Sequence, residues 1–134
     1  MKKIFLYIVF LFSLSISAQE CRDSIEEKTE IKNLKLYKEN AHASYYHDKF
    51  DGRKTASGVR FDNSKLTAAH KKLPFGTKLK ITNEKNNKSV IVIITDRGPF
   101  INGREIDLSK KAFMDITSNK KGGVVFVKIE IIEN

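Results

Sequence analysis

The sequence predicts a mainly β domain whose short strands close into a barrel. Three observations carry this. "TKLKIT" (77–82) alternates Leu79 and Ile81 with Lys78, Lys80 and Thr82, which is the period-two pattern of a strand with one wet face. "SVIVIIT" (89–95) is β-branched and apolar on both faces, so it reads as a central, doubly buried strand. "VVFVKIEII" (124–132) supplies a third run of β-formers near the end of the chain. Closing such short strands on themselves removes exposed edges.

The remaining elements follow in order. "HASYY" (42–46) is rich in β-formers. "FDGRKTASG" (50–58) reads as a loop, with Gly52 and Gly58 as breakers, and "NEKNNK" (83–88) as a turn. One helix is expected. "LSKKAFMDI" (108–116) puts Leu108, Ala112, Phe113 and Ile116 on one face, and Ser109 is placed to cap its start.

The N-terminus reads differently. Lys2 and Lys3 precede an apolar run from Ile4 to Leu14, followed by "SISAQ". That is the pattern of a secretory signal peptide cleaved after Ala18. The run is short for a membrane span. The expected organisation is therefore a signal peptide at 1–18, a charged segment at 19–40 and a barrel domain at 41–134. The charged segment admits a linker, a short helix or a first strand. Cys21 is the sole cysteine, so no intramolecular disulfide is available. Gln19 and Glu20 precede it where a lipid-attachment signal needs a small residue, so lipidation is not expected.

With 134 residues the chain has the length of one domain. Its formal charge of +9, two of it from Lys2 and Lys3, favours polyanionic partners. Outside the cytoplasm these are a wall polymer or a membrane surface rather than nucleic acid. His42, His47 and His70 lack compact ligand spacing, so no metal is expected. No phosphate-binding glycine loop or nucleophile elbow is present, and no cofactor is implied.

Three polar stretches, expected to lie in loops, could carry chemistry: 53–58, 67–70 and 96–99. Asp96 ends the apolar run, and Gly98 and Pro99 force a turn straight after it. A carboxyl fixed there can act as a general acid or cap the turn. His70 can hydrogen-bond a sugar, relay a proton or serve the core. Asp107 is expected to cap the helix or to make a buried bond to a loop amide, and Glu105 to face solvent. Tyr45, Tyr46 and Phe100 can stack on sugars or pack inward.

Together, "ASYY", "FDGRKTASG", "LTAAHKKLPFGTKLKITN", "VIVIITDRGPF" and "GREIDLSKKA" resemble the rare lipoprotein A family of bacterial cell-wall proteins. The resemblance covers about residues 41–132. It implies a six-stranded double-psi β-barrel with one or two short helices. It also implies endolytic lytic transglycosylase activity on peptide-stripped peptidoglycan. Such an enzyme cleaves the β-1,4 bond between N-acetylmuramic acid and N-acetylglucosamine and leaves 1,6-anhydromuramic ends. By the same resemblance, Asp96 is the catalytic acid/base and His70 an active-site residue. Arg97, Arg53, Thr55, Ser57 and Tyr45 are expected to bind substrate. Many relatives carry glutamate where this chain has Val59, which leaves a non-catalytic, expansin-like polysaccharide-binding module as the alternative. The implied partner is the glycan strand of an exported, periplasmic or secreted protein, with no stable membrane insertion after signal cleavage.

Overall fold

The computed structural model describes residues 33–117 and 122–133. The expected signal peptide, its cleavage site and Cys21 lie outside the described residues.

Six strands form one closed barrel among the described residues. They are β1 (Leu34–Tyr45), β2 (Thr67–His70), β3 (Lys78–Asn83), β4 (Ser89–Asp96), β5 (Ile106–Leu108) and β6 (Val125–Ile132). The order around the barrel is β1-β5-β2-β4-β3-β6. Two pairings, β1 with β5 and β2 with β4, are parallel, and the rest are antiparallel. This is the six-stranded barrel that the resemblance implies.

The inward faces follow the period-two reading. Leu79 and Ile81 of β3, Val92 and Ile94 of β4, and Val127 and Ile129 of β6 are all buried. On β1 and β2 the inward positions are small (Ala41, Ala43, Ala68), which leaves room for bulkier neighbours. The helix α1 (Lys110–Ile116) adds Ala112, Phe113 and Ile116 to the same core. Ser109 caps it as expected, its hydroxyl accepting from the Ala112 N–H at 3.3 Å.

Four expectations change. Strand β1 begins at Leu34, before the expected domain start at 41, so part of the charged segment is a first strand. Its residues 35–40 are exposed, which hides the strand from any hydrophobic pattern. Strand β4 is buried on one face only, with Ile91 36% and Ile93 39% exposed. A barrel wall has one interior, and the outer face here pairs Ile91 with Lys80 and Ile93 with Lys78 of β3. Residues 67–70, expected to be a loop, form β2. Asp107, expected to cap the helix, lies in β5.

Candidate active site

Register places two carboxylates on one row of the barrel. Asp96 at the end of β4 faces Ala69 of β2, and Ala69 faces Asp107 of β5 on its other side. Asp107 in turn faces Ser44 of β1. The Asp96 and Asp107 backbones are thus two strand spacings apart, about 10 Å. A register shift between Ala68 and Ala69 brings Asp96 into this row.

Both aspartates line a groove of about 580 Å³. Its walls include Tyr46, Phe50, Arg97, Phe100 and Arg104. Gly98 lets the chain turn at its edge with φ +127°, a backbone conformation that L side chains rarely adopt. Phe100 beyond the turn is 86% exposed, so it is free of any packing role in the core.

Asp96 is held from three directions. Its Oδ2 accepts from the Tyr46 hydroxyl at 2.6 Å. Its Oδ1 accepts from the Ala56 N–H and from the Arg97 N–H, each at 2.9 Å. Burial, the hydrogen bond to Asp96 and the charges of Asp96 and Asp107 together push the Tyr46 hydroxyl far above its ordinary 10.0. Tyr46 therefore stays protonated and acts as a fixed donor. Its ring packs on Phe61 with centroids 4.4 Å apart. Asp107 is ion-paired with Arg104.

The other expected site residues separate into groups. Arg97 lines the groove, but its Nη1 donates to the carbonyls of His70 (3.3 Å) and Leu73 (2.9 Å). Its guanidinium also stacks 3.9 Å from the Phe75 centroid. Tyr45 contributes to the groove wall while its ring packs 4.7 Å from Phe113. Thr55 and Ser57 lie in the loop behind Asp96, where their hydroxyls bond each other at 2.9 Å. The Thr55 hydroxyl also donates to the Val59 carbonyl. The Ser57 N–H bonds the Thr95 carbonyl, which ties this loop to the end of β4 and presents Ala56 to Asp96. Arg53 sits over the Phe50 ring at 5.4 Å. Val59 is 58% exposed and is not among the groove residues.

His70 is not brought to the groove. Its side chain is 1% exposed. Its Nδ1 accepts from the Lys72 and Leu73 N–H groups, each at 3.1 Å, and its Nε2 lies 3.0 Å from Glu105 Oε1. Glu105, expected to face solvent, bridges His70 and Lys38.

The sequence offers Tyr46 as a stacking or packing aromatic but not as a donor to Asp96, and it places Asp107 at the helix rather than at this groove. Tyr46 follows the last residue of β1, and Tyr45 beside it packs on Phe113 of the core. For Asp107 no local signal exists, because its link to Asp96 runs through β2.

The lytic transglycolase family model matches residues 38–129, which reaches into all six strands of the barrel. The chain belongs to the lytic transglycolase family. It is 48% identical over 105 residues to the endolytic peptidoglycan transglycosylase RlpA of Rickettsia felis, covering 76% of this chain and 46% of that protein. It is 47% identical over 102 residues to the RlpA of Pasteurella multocida, covering 76% and 34%. The chain thus spans less than half the length of these relatives. Among solved structures it resembles the Streptomyces papain inhibitor at TM-score 0.58 and 21% identity, covering 75% of this chain and all of that one. It also resembles an expansin from Clavibacter michiganensis at TM-score 0.55 and 18% identity, covering 70% and 50%. The two structural likenesses establish the shared double-psi barrel. This lytic transglycolase barrel carries Asp96 and Asp107 at its groove.

Proposed function

We propose that this protein is an exported endolytic lytic transglycosylase that cleaves peptide-stripped peptidoglycan strands between N-acetylmuramic acid and N-acetylglucosamine. The observation that carries the reading is the setting of Asp96: a carboxylate at a groove, oriented on both oxygens by donors from three different segments. Orientation of this kind is what a general acid/base needs.

The chemistry requires no nucleophile from the protein. Asp96 in its acid form gives its proton to the bridging glycosidic oxygen, and the C1–O bond breaks. The 6-hydroxyl oxygen of the same muramic residue closes on C1, and its proton passes to Asp96. The carboxyl is regenerated and no water is consumed. Tyr46 holds Asp96 in place throughout. Asp107, ion-paired with Arg104, fixes the groove wall beside Asp96. Phe100 offers a flat apolar face for a sugar ring. The basic surface suits a strand whose stripped lactyl groups are carboxylates. The expected signal peptide supports export to the periplasm or beyond.

A binding-only reading has one supporting observation: Val59, in the loop whose Ala56 donates to Asp96, cannot titrate. Purified protein incubated with peptide-stripped glycan separates the two. Anhydro-ended fragments support the enzyme; intact glycan that carries bound protein supports the binder.

A further inference from the structure

His70 reaches Asp96 through a chain of contacts rather than through space. The imidazole Nδ1 receives two backbone N–H donors, from Lys72 and Leu73. A nitrogen that accepts cannot also carry the ring proton, so that proton sits on Nε2 and is donated to Glu105. Both nitrogens are thereby used, and neither is open to a substrate. Glu105 is held in turn by Lys38 at 2.7 Å. The Tyr37 ring meets the imidazole edge-on at 5.4 Å.

The two N–H bonds fold residues 70–73 into a tight turn. The carbonyls at its ends, of His70 and Leu73, both accept from Arg97 Nη1. Arg97 follows Asp96 directly and donates its own N–H to Asp96 Oδ1. The order of contact is therefore Lys38, Glu105, His70, the 70–73 turn, Arg97 and Asp96.

We propose that His70 is a positioning residue, whose Nδ1 shapes the 70–73 turn into a two-carbonyl receptor for Arg97 and so fixes the Asp96 carboxylate. Glu105 and Lys38 set the tautomer that makes Nδ1 an acceptor. The inference rests on the reading of Asp96 as acid/base, and it removes His70 from contact with the sugar. The charged groups that bear on the imidazole are Glu105, Arg97 and Lys71. Burial, the largest influence, lowers its pKa from the ordinary 6.5; Glu105 opposes it, and Arg97 and Lys71 act with it.

Side-chain geometry supplies a discriminating test. An asparagine carries its amide oxygen on Cγ, where histidine carries Nδ1, but has no titrating group. A glutamine places its polar atoms one bond further out, near Nε2. His70→Asn is expected to keep turnover of peptide-stripped glycan within about tenfold, while His70→Gln and His70→Ala lose about a hundredfold in kcat, the scale of a misplaced reacting group. Glycan binding is expected to stay constant across the set, and the pH profile of His70→Asn to keep the wild-type shape. His70→Asn as inactive as His70→Ala, at wild-type melting temperature, would overturn the proposal. So would loss of a titrating limb in His70→Asn.

A second readout does not depend on turnover. The Arg97 guanidinium NMR signal is expected to be unchanged in His70→Asn and displaced in His70→Ala. The imidazole nitrogens are expected to report a neutral Nε2–H tautomer from about pH 8 to below the range in which histidine ordinarily titrates. An Arg97 signal indifferent to His70→Ala, or an Nδ1–H tautomer, contradicts the positioning role. Absence of anhydro-ended products from the wild type would instead sink the reading of the reaction, and the NMR signals would still decide the role of His70.

Discussion

The Tyr46 hydroxyl donates to Asp96 Oδ2 across 2.6 Å, joining the residue that follows β1 to the end of β4. Tyr46→Phe removes this donor and keeps the ring against Phe61. A hydrogen bond to a charged group is worth about 2 kcal/mol. If that bond orients Asp96 in the transition state, kcat falls by roughly thirtyfold with little change in glycan binding. Steady-state kinetics beside a sedimentation assay checks this. A proportional rise in KM with kcat unchanged would assign Tyr46 to binding instead.

Asp107 gives a graded counterpart. Asp107→Asn keeps the size of the side chain and removes one charge. Turnover is expected to drop by about tenfold, since the ion pair with Arg104 shapes the groove without transferring a proton. Asp96→Asn is expected to lose about a thousandfold or more, in the range of general acid/base groups. Equal losses would show that Asp107, too, handles a proton.

Phe100 is expected to act on binding alone. It is exposed and buries no core surface, so Phe100→Ala should leave the melting temperature unchanged. Loss of one stacking face costs about 1 kcal/mol, or roughly fivefold in glycan affinity. Titration with soluble glycan strands measures it. Unchanged affinity would place the sugar elsewhere in the groove.

Much of this was legible in the sequence, and the limits are physical. Strands β3 and β6 were visible because their patterns are local. The helix was visible from Ser109 and the spacing of Ala112, Phe113 and Ile116. Strands β2 and β5 were not, because three or four residues hold too little periodicity to register. Their identity comes from partners remote in the chain: Ala69 lies between Asp96 and Asp107. Asp96 was found because Gly98 and Pro99 break an apolar run beside it. The sequence leaves a core role for His70 open beside two others, because the two backbone donors and Glu105 that decide it meet it only in the folded barrel.

Acid should loosen the fold, and the sign follows from two groups. Burial lowers the His70 pKa below its ordinary 6.5. For Glu105, burial pushes upward, but the hydrogen bonds from Lys38 and His70 outweigh it and hold the carboxyl below its ordinary 4.5. Each group binds a proton more readily in the unfolded chain. Their stabilisation is therefore complete above 6.5 and is lost as pH falls past 6.5 and then 4.5 toward the lowered folded values. Melting temperature should decline with acidification across this window. His70→Asn should flatten the upper part of the decline. A melting temperature that rises as pH drops from 7 to 5 would contradict this.

The most direct test of the central claim is mass spectrometry of peptide-stripped glycan after incubation with wild-type protein and with Asp96→Asn. Fragments ending in 1,6-anhydromuramic acid, from the wild type alone, are the predicted result. Intact glycan with the wild type still bound, or equal cleavage by Asp96→Asn, would contradict the account.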